Sequence, residues 1–99
     1  MNYSLLMNLE WDDDKSNRCL ENRGFDFAYA ALVFLDPDRV VFEDNRFEYG
    51  EDRYIMVGRV EGRLFVIAYT PRGDSIRIIS ARKANAREIK RYETGSNDD

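Results

Sequence analysis

The chain has 99 residues, 43% hydrophobic and 13% aromatic, which is enough for one hydrophobic core and too few for two. One cysteine, Cys19, and no histidine exclude an internal disulfide, a thiolate metal cluster and histidine-based acid–base chemistry. The net charge of −4 is uneven: residues 1–52 carry 5 Lys/Arg against 13 Asp/Glu, and residues 53–93 carry 10 against 4. The basic half can contact a polyanion, although the two halves could also neutralise each other.

A strand and a helix are predicted first along the chain. Apolar side chains alternate over residues 5–11, which is typical of a strand with one buried face. A helix is predicted over residues 13–23, because Asp12 can cap its start and Gly24 can end it in the left-handed conformation. The apolar residues at the start are too few for a signal peptide or a membrane span, which indicates a cytoplasmic protein.

A second helix and a short strand follow. The helix is predicted to begin at an Asp26 cap, and apolar residues recur with helical spacing from Phe27 to Phe34. Pro37 stops it, because proline cannot continue a helix. A short strand is predicted at residues 40–42.

Three further β-rich runs predict a meander. Residues 54–60 are separated from the next run by Glu61 and Gly62, a plausible tight hairpin turn. Residues 71–74, Pro-Arg-Gly-Asp, have the composition of a second turn, and residues 75–82 form the last strand.

A third helix completes the predicted order. Asn85 can cap it, with Glu88 three residues later as in a capping box. The order is β-α-α-β-β-β-β-α, which predicts an α+β fold: a mainly antiparallel sheet with two N-terminal helices and one C-terminal helix. We expect residues 1–93 to form one domain and residues 94–99 a flexible tail.

Pairing the meander through its turns assigns each side chain to one face of the sheet. In this register Val60 opposes Arg63 and Thr70 opposes Ser75, and side chains then alternate strictly. One face is bulky and apolar, and we expect it to meet the helices. Its predicted members are Tyr54, Met56, Phe65, Ile67, Tyr69, Ile76, Ile78, Ser80 and Arg82.

The opposite face is predicted to be partly open and basic. Its three cations, Arg59, Arg77 and Lys83, come from two strands. The apolar residues between them are Ile55, Val57, Leu64, Val66, Ala68, Ile79 and Ala81. Such a surface suits a single-stranded polyanion held by its phosphates, and Phe47 or Tyr49 from the nearby loop could stack a base.

Several strings of residues together resemble one family. They are Leu9 Glu10 Trp11 Asp12 with Lys15, Gly24 with Phe27, Gly50 Glu51 Asp52 Arg53, Ile79 Ser80 Ala81 Arg82 Lys83 Ala84, and Arg87 Glu88 with Tyr92 Glu93. This combination resembles the BrnT ribonuclease toxins of bacterial type II toxin–antitoxin modules over nearly the whole chain. That family typically has Lys-His-Gly where this chain has Asn22 Arg23 Gly24, and often Asn in place of Cys19.

The resemblance implies a function as well as a RelE-like fold. It implies a metal-independent endoribonuclease, without a cofactor, that cleaves RNA and arrests translation. It also implies neutralisation by a ribbon-helix-helix antitoxin of the BrnA type, with promoter DNA bound only through that antitoxin.

Cleaving RNA without a metal requires a base, positive charge for the phosphorane and an acid for the leaving oxygen. Arg59, Arg77 and Lys83 are the first candidates for the charge, since each well-placed donor contributes roughly 3 to 4 kcal/mol in measured cases. Arg82 lies on the other face by alternation, but a bulge near the strand end could bring it across. The resemblance adds Lys15.

The proton-transfer residues stay open, and several residues have structural interpretations. Candidates for proton transfer are Lys15, Lys83, Glu10, Glu88 and Tyr92, and further candidates for RNA contact are Arg53, Arg63, Arg87 and Tyr92. Glu88 is most simply a helix cap, Tyr92 and Trp11 more simply pack in the core, and Arg77 could pair with a carboxylate.

Two other functions remain compatible with the sequence. A non-catalytic binding module could use the same basic face to hold an acidic protein segment or nucleic acid. A toxin of the same fold could instead inhibit a DNA topoisomerase.

Overall fold

The computed structural model describes residues 8–46, 48 and 50–95, and its centre is a five-stranded sheet with the order β1-β5-β4-β3-β2. The strands are β1 Asn8–Trp11, β2 Val40–Glu43, β3 Tyr54–Val60, β4 Arg63–Arg72 and β5 Ser75–Lys83. The helices are α1 Asp13–Arg23, α2 Phe27–Ala30, a 3₁₀ helix Ala31–Leu35 and α3 Ala86–Thr94. β1 pairs with β5 in parallel, and the other neighbours are antiparallel. The predicted α+β class and element order are confirmed.

The predicted caps of α1 and α3 are present. Asp12 accepts hydrogen bonds from the backbone N–H groups of Asp14 and Lys15, and Gly24 ends α1 with φ +87°. Asn85 and Glu88 form the predicted capping box of α3.

The second predicted helix is present but tightens after one turn. Asp26 caps it through the Tyr29 N–H, and the chain changes to the 3₁₀ helix at Ala31. The 3₁₀ helix packs closely on β3 at Gly58. A Cβ atom at position 58 would lie only 2.7 Å from Cβ of Val33, which is too close for any side chain. Glycine permits this close approach of helix and sheet.

Parts of three predictions lie outside the described residues. They are the first residues of the strand predicted at 5–11, the stacking residues Phe47 and Tyr49, and the end of the tail predicted at 94–99. Thr94 is the last residue of α3.

The turn between β4 and β5 is shorter than predicted. Arg72 pairs with Ser75, so that two residues and not four make the turn. Gly73 adopts a φ of +59°, which a tight two-residue turn favours. Pro71 therefore belongs to β4, where it pairs with Ile76.

A β-bulge then changes the faces of the second half of β5. Tyr69 pairs with Ile78, but Ala68 pairs with Ser80, which leaves Ile79 as the extra residue. Side chains after the bulge therefore point to the opposite face from the one predicted.

Both faces of the sheet are covered by helices. The main core lies between α1, α2 and the 3₁₀ helix and one face, which we call the helix face. Its buried sheet residues are Met56, Val60, Phe65, Ile67, Tyr69, Ile78 and Ala81. A smaller apolar cluster lies on the other face beneath α3, which we call the α3 face. It comprises Val40, Ile55, Val57, Val66 and Ala68, with Tyr92 of α3 packed against it. The expectation of an open second face was therefore wrong where α3 covers it.

Candidate active site

The bulge redistributes the predicted cations between the two faces. Arg59 and Arg77 share the α3 face as predicted, because Arg59 is opposite Leu64 and Arg77 is opposite Thr70. Lys83 pairs with Phe65 and so belongs to the helix face, which makes its predicted placement wrong. Arg82 pairs with Val66 and lies on the α3 face, by the kind of bulge that the sequence allowed.

Arg59 and Tyr92 meet at a buried carboxylate. Asp36 accepts hydrogen bonds from the backbone N–H of Arg59 at 2.7 Å and from the Tyr92 hydroxyl at 2.6 Å. Burial opposes the charge of Asp36, but hydrogen bonds from Tyr92, Asp38 and Arg59 hold its pKa below the ordinary value. The guanidinium of Arg59 lies 5.3 Å from the Tyr92 ring centroid. These contacts attach α3 to the sheet, in keeping with the packing interpretation of Tyr92.

Arg82 and Glu88 form a forked ion pair between β5 and α3. The two guanidinium nitrogens donate to the two carboxylate oxygens at 2.7 and 2.6 Å. Burial opposes the charge of Glu88, but hydrogen bonds from Arg82 and from the Asn85 N–H hold its pKa below the ordinary value. The predicted cap role of Glu88 is confirmed, and the same carboxylate also binds Arg82.

Arg87 lines a cleft between α3 and the loop after β2, which we call the α3 cleft. Its volume is about 620 Å³. Its charged lining residues are Glu43, Asp44, Arg46, Arg82, Arg87, Glu88, Lys90 and Arg91. Cations and carboxylates are mixed here, and Arg46 is paired with Asp44 at 2.8 Å.

Arg63 and Lys83 line a separate cleft on the helix side, which we call the hairpin cleft. Its volume is about 670 Å³. The Tyr29 hydroxyl donates to the Glu61 carboxylate there, and this hydrogen bond raises the pKa of Tyr29. Lys83 therefore lies away from Arg59 and Arg77, with which it was grouped in the sequence.

Three of the predicted residues come together in a small pocket where α1, the loop before β3 and the β4–β5 hairpin meet. This loop pocket has a volume of about 150 Å³. It is lined by Asp12, Lys15, Glu51, Arg53, Thr70, Arg72, Arg77, Ile78 and Ile79. The predicted members are Lys15, Arg53 and Arg77, and Arg72 adds a fourth cation that sequence reasoning missed.

Glu51 is one of two carboxylates that line this pocket, with Asp12, and it contacts two of the four cations. Its oxygens lie 3.2 Å from Nε of Arg53 and 3.7 Å from Nη2 of Arg72, and its side chain is 32% exposed. Arg77 is paired at 3.2 Å with Glu10 on the neighbouring strand. Sequence reasoning also missed Glu51 as a site residue, although it stands in the string Gly50 Glu51 Asp52 Arg53 that carries the resemblance.

The pocket is held in shape by the backbone of its loop. The Thr70 hydroxyl donates to the Asp52 carbonyl at 2.5 Å, and the Asp44 N–H donates to the Arg53 carbonyl at 2.9 Å. The first bond attaches the loop to β4 at Asp52, and the second joins the two ends of the loop to each other. Glu51 is therefore next to a residue that is held against β4.

Two searches of the described residues bear on the kind of site. No group of three or more His, Cys, Asp or Glu side chains in this part of the chain could hold a metal ion. No helix in the same residues is long and apolar enough to cross a membrane.

Arginines line several concave surfaces of this α+β domain, and such side chains can contact a polyanion. A family model described as the ribonuclease toxin BrnT of type II toxin–antitoxin systems matches residues 11–88, and the chain belongs to this family. The family implies an RNA target and an antitoxin partner. A search of curated proteins found no match.

Proposed function

We propose that this protein is a metal-independent endoribonuclease whose reaction takes place in the loop pocket. It acts in the cytoplasm, arrests translation by cutting RNA, and is neutralised by a cognate ribbon-helix-helix antitoxin of the BrnA type. The observation that supports this assignment is the Glu51 carboxylate among the cations of Lys15, Arg53, Arg72 and Arg77. A proton acceptor and phosphate-binding groups thus lie side by side.

The reaction uses proton transfer and charge stabilisation by these side chains alone. Glu51 takes the proton of the 2′-hydroxyl, and the 2′-oxygen attacks the adjacent phosphorus. Arg77 and Arg53 stabilise the charge on the phosphorane. The bond to the 5′-oxygen then breaks, and that oxygen takes a proton from the Lys15 ammonium group. The products are a 2′,3′-cyclic phosphate and a 5′-hydroxyl.

The arginines are placed so that they can exchange carboxylate for phosphate. Their contacts at 3.2 and 3.7 Å are longer than the roughly 2.7 to 2.9 Å of a strong charge-assisted hydrogen bond. Such pairs on a partly exposed surface contribute little, about 0 to 1 kcal/mol each. A phosphate that enters the pocket can therefore displace the carboxylates from these arginines at a small cost in free energy. We propose Arg63 and Arg87 as RNA contacts outside the pocket, whereas Tyr92 attaches α3 to the sheet.

Glu51→Gln tests the assignment directly. Purified wild-type protein should cut RNA in the presence of a chelator, and Glu51→Gln should slow cutting by about 10²- to 10⁴-fold, the usual contribution of a general base. Glu93→Gln, an exposed substitution on α3, is the matched control and should cut at the wild-type rate. Wild-type protein that cuts only after a divalent metal is added would contradict the metal-independent reaction.

The antitoxin is tested by expression with the neighbouring reading frame. The toxin alone should stop growth, and co-expression with a short ribbon-helix-helix protein should restore it. The promoter fragment should shift on a gel with the complex and not with the toxin alone. Growth arrest that persists despite complex formation would contradict neutralisation.

A non-catalytic binding module is the second candidate, and one observation favours it. Arg53, Arg77 and Arg82 are each paired with a carboxylate, as expected of cations with a structural role. An antitoxin complex that forms normally, with a toxin that cuts no RNA at any protein concentration, would support this alternative.

A further inference from the structure

A second concave surface adjoins the loop pocket along α1, and we call it the α1 groove. Its volume is about 460 Å³. It is lined by Lys15, Arg18, Cys19, Asn22 and Arg23 of α1, and by Phe27, Ile79, Ser80 and Ala81.

The groove lies beside the part of β5 that extends past β1. β1 pairs with β5 only as far as Ile78, and among the described strands none pairs with this side of β5 beyond that point. α1 lies there instead, with the Cys19 thiol 3.6 Å from the Ala81 carbonyl and Nη1 of Arg23 donating to the same carbonyl at 3.0 Å. The bulge residue Ile79 lies where the groove begins.

The polar residues of α1 in the groove form one stripe of the helix. Lys15, Arg18 and Asn22 are three or four positions apart, the spacing that places side chains on the same side of a helix. At about 1.5 Å of rise per residue, the stripe from Lys15 to Asn22 is about 10 Å long. It is long enough to contact more than one phosphate of a single strand.

The charge of the groove differs from that of the other concave surfaces. Among the residues that the structure describes, Lys15, Arg18 and Arg23 line it, and no aspartate or glutamate does. Carboxylates line the loop pocket, the α3 cleft and the hairpin cleft alongside their cations. The chain as a whole has 19 Asp and Glu against 15 Lys and Arg. A cationic groove without carboxylates in an acidic protein indicates an anionic ligand.

The groove and the loop pocket are continuous. Lys15 and Ile79 line both of them. A chain of phosphates lying along α1 would therefore lead directly to Glu51 and Arg77. This continuity favours a nucleic-acid strand, because a strand whose phosphate is cut in the loop pocket must continue over a neighbouring surface.

We infer that the α1 groove binds the RNA strand next to the phosphate that is cut. Arg18 and Arg23 contact the phosphates, and Asn22 and Ser80 offer hydrogen bonds to the sugar or base. This inference rests on the proposed function, since it extends the substrate path from the loop pocket. It assigns Arg18, Asn22 and Arg23 to substrate binding.

Arg18 gives the clearest test, because the structure records no hydrogen bond or ion pair of its side chain within the described residues. The probe is an RNA with 2′-O-methyl groups, which lacks the attacking hydroxyl and cannot be cut. Its affinity is measured by fluorescence anisotropy at several salt concentrations. Arg18→Ala should weaken binding several-fold and reduce the slope of log affinity against log salt by about 0.7, the value for one phosphate contact of a single strand.

Two further variants control this measurement. Arg18→Glu should weaken binding more than Arg18→Ala, with an unchanged far-UV spectrum and melting temperature. Arg39→Ala removes an exposed cation that lines neither the α1 groove, the loop pocket, the α3 cleft nor the hairpin cleft, and should leave both affinity and salt slope unchanged.

The outcomes separate this inference from the proposed function. If Arg18→Glu binds the methylated RNA as wild type does, the inference is overturned even when the wild type cuts RNA. Weaker antitoxin binding with unchanged RNA binding would also overturn it and assign the groove to a protein partner. If binding depends on Arg18 but natural RNA is never cut, the groove assignment holds and the proposed reaction fails.

Discussion

The arginines of the loop pocket and the arginine beneath α3 are held in different ways. Arg77 makes one contact of 3.2 Å to Glu10, and both side chains are about one-third exposed. Arg82 makes two contacts of 2.6 and 2.7 Å to Glu88, whose side chain is only 12% exposed. Both arginines come from β5. Two arginines of the same strand can therefore have different roles. Arg77 can exchange its carboxylate for a phosphate, and Arg82 attaches α3 to the sheet.

Of the substitutions that test this difference, Arg77→Ala should have the largest effect on the rate of RNA cutting. Loss of one donor at the phosphorane should slow RNA cutting by about 10²- to 10³-fold. The free energy of unfolding should change by less than about 1 kcal/mol, because the pair with Glu10 is exposed. Single-turnover cutting and urea unfolding measure the two effects. A stable variant with wild-type cutting would remove Arg77 from the proposed site.

Arg82→Ala should show the opposite pattern. It leaves the shielded Glu88 carboxylate without its forked partner, and we expect a loss of about 1 to 2 kcal/mol in the free energy of unfolding. Cutting by the folded fraction should fall much less than in Arg77→Ala. Arg82→Lys keeps the positive charge but cannot donate two parallel hydrogen bonds to Glu88. It should therefore recover only part of the unfolding free energy that Arg82→Ala loses. A hundredfold loss of cutting with full stability would place Arg82 in the reaction and contradict the division of roles.

Local signals made most of the fold predictable. The caps at Asp12, Asp26 and Asn85 depend on one residue and its near neighbours, and all three are present. The Glu61–Gly62 hairpin is also a local feature, and its predicted register holds, with Val60 opposite Arg63.

The candidate site was less predictable, because its geometry depends on features without a local sequence signal. The single extra residue at Ile79 reverses the faces of every later β5 side chain, which moved Lys83 away from the other cations. Glu51 and Arg72 are far apart in the chain, and only folding brings them within 3.7 Å. The coverage of the second face by α3 likewise depends on distant contacts such as the Tyr92–Asp36 hydrogen bond.

Tyr92→Phe removes a smaller part of the contact between α3 and the sheet than Arg82→Ala does. The change removes one hydroxyl and leaves the buried Asp36 carboxylate with one donor fewer. We expect a loss of about 1 kcal/mol in the free energy of unfolding and nearly unchanged cutting of RNA. Thermal unfolding measures the first, and initial rates measure the second. A large loss of cutting without a loss of stability would instead support the predicted contact of Tyr92 with RNA.

Acid should weaken the contacts of α3 through two carboxylates. The folded-state pKa values of Asp36 and Glu88 lie below their ordinary values of 3.8 and 4.5. Their stabilisation is therefore complete above those ordinary values and is lost as the pH falls through the lower folded-state values. The free energy of unfolding, measured by urea titration at several pH values, should decrease as the pH falls below about 4.5. Glu88→Gln and Arg82→Ala should both reduce this dependence, since each removes one partner of the same pair. An equally steep dependence in Glu88→Gln would show that the Arg82 pair does not hold the α3 contact in acid.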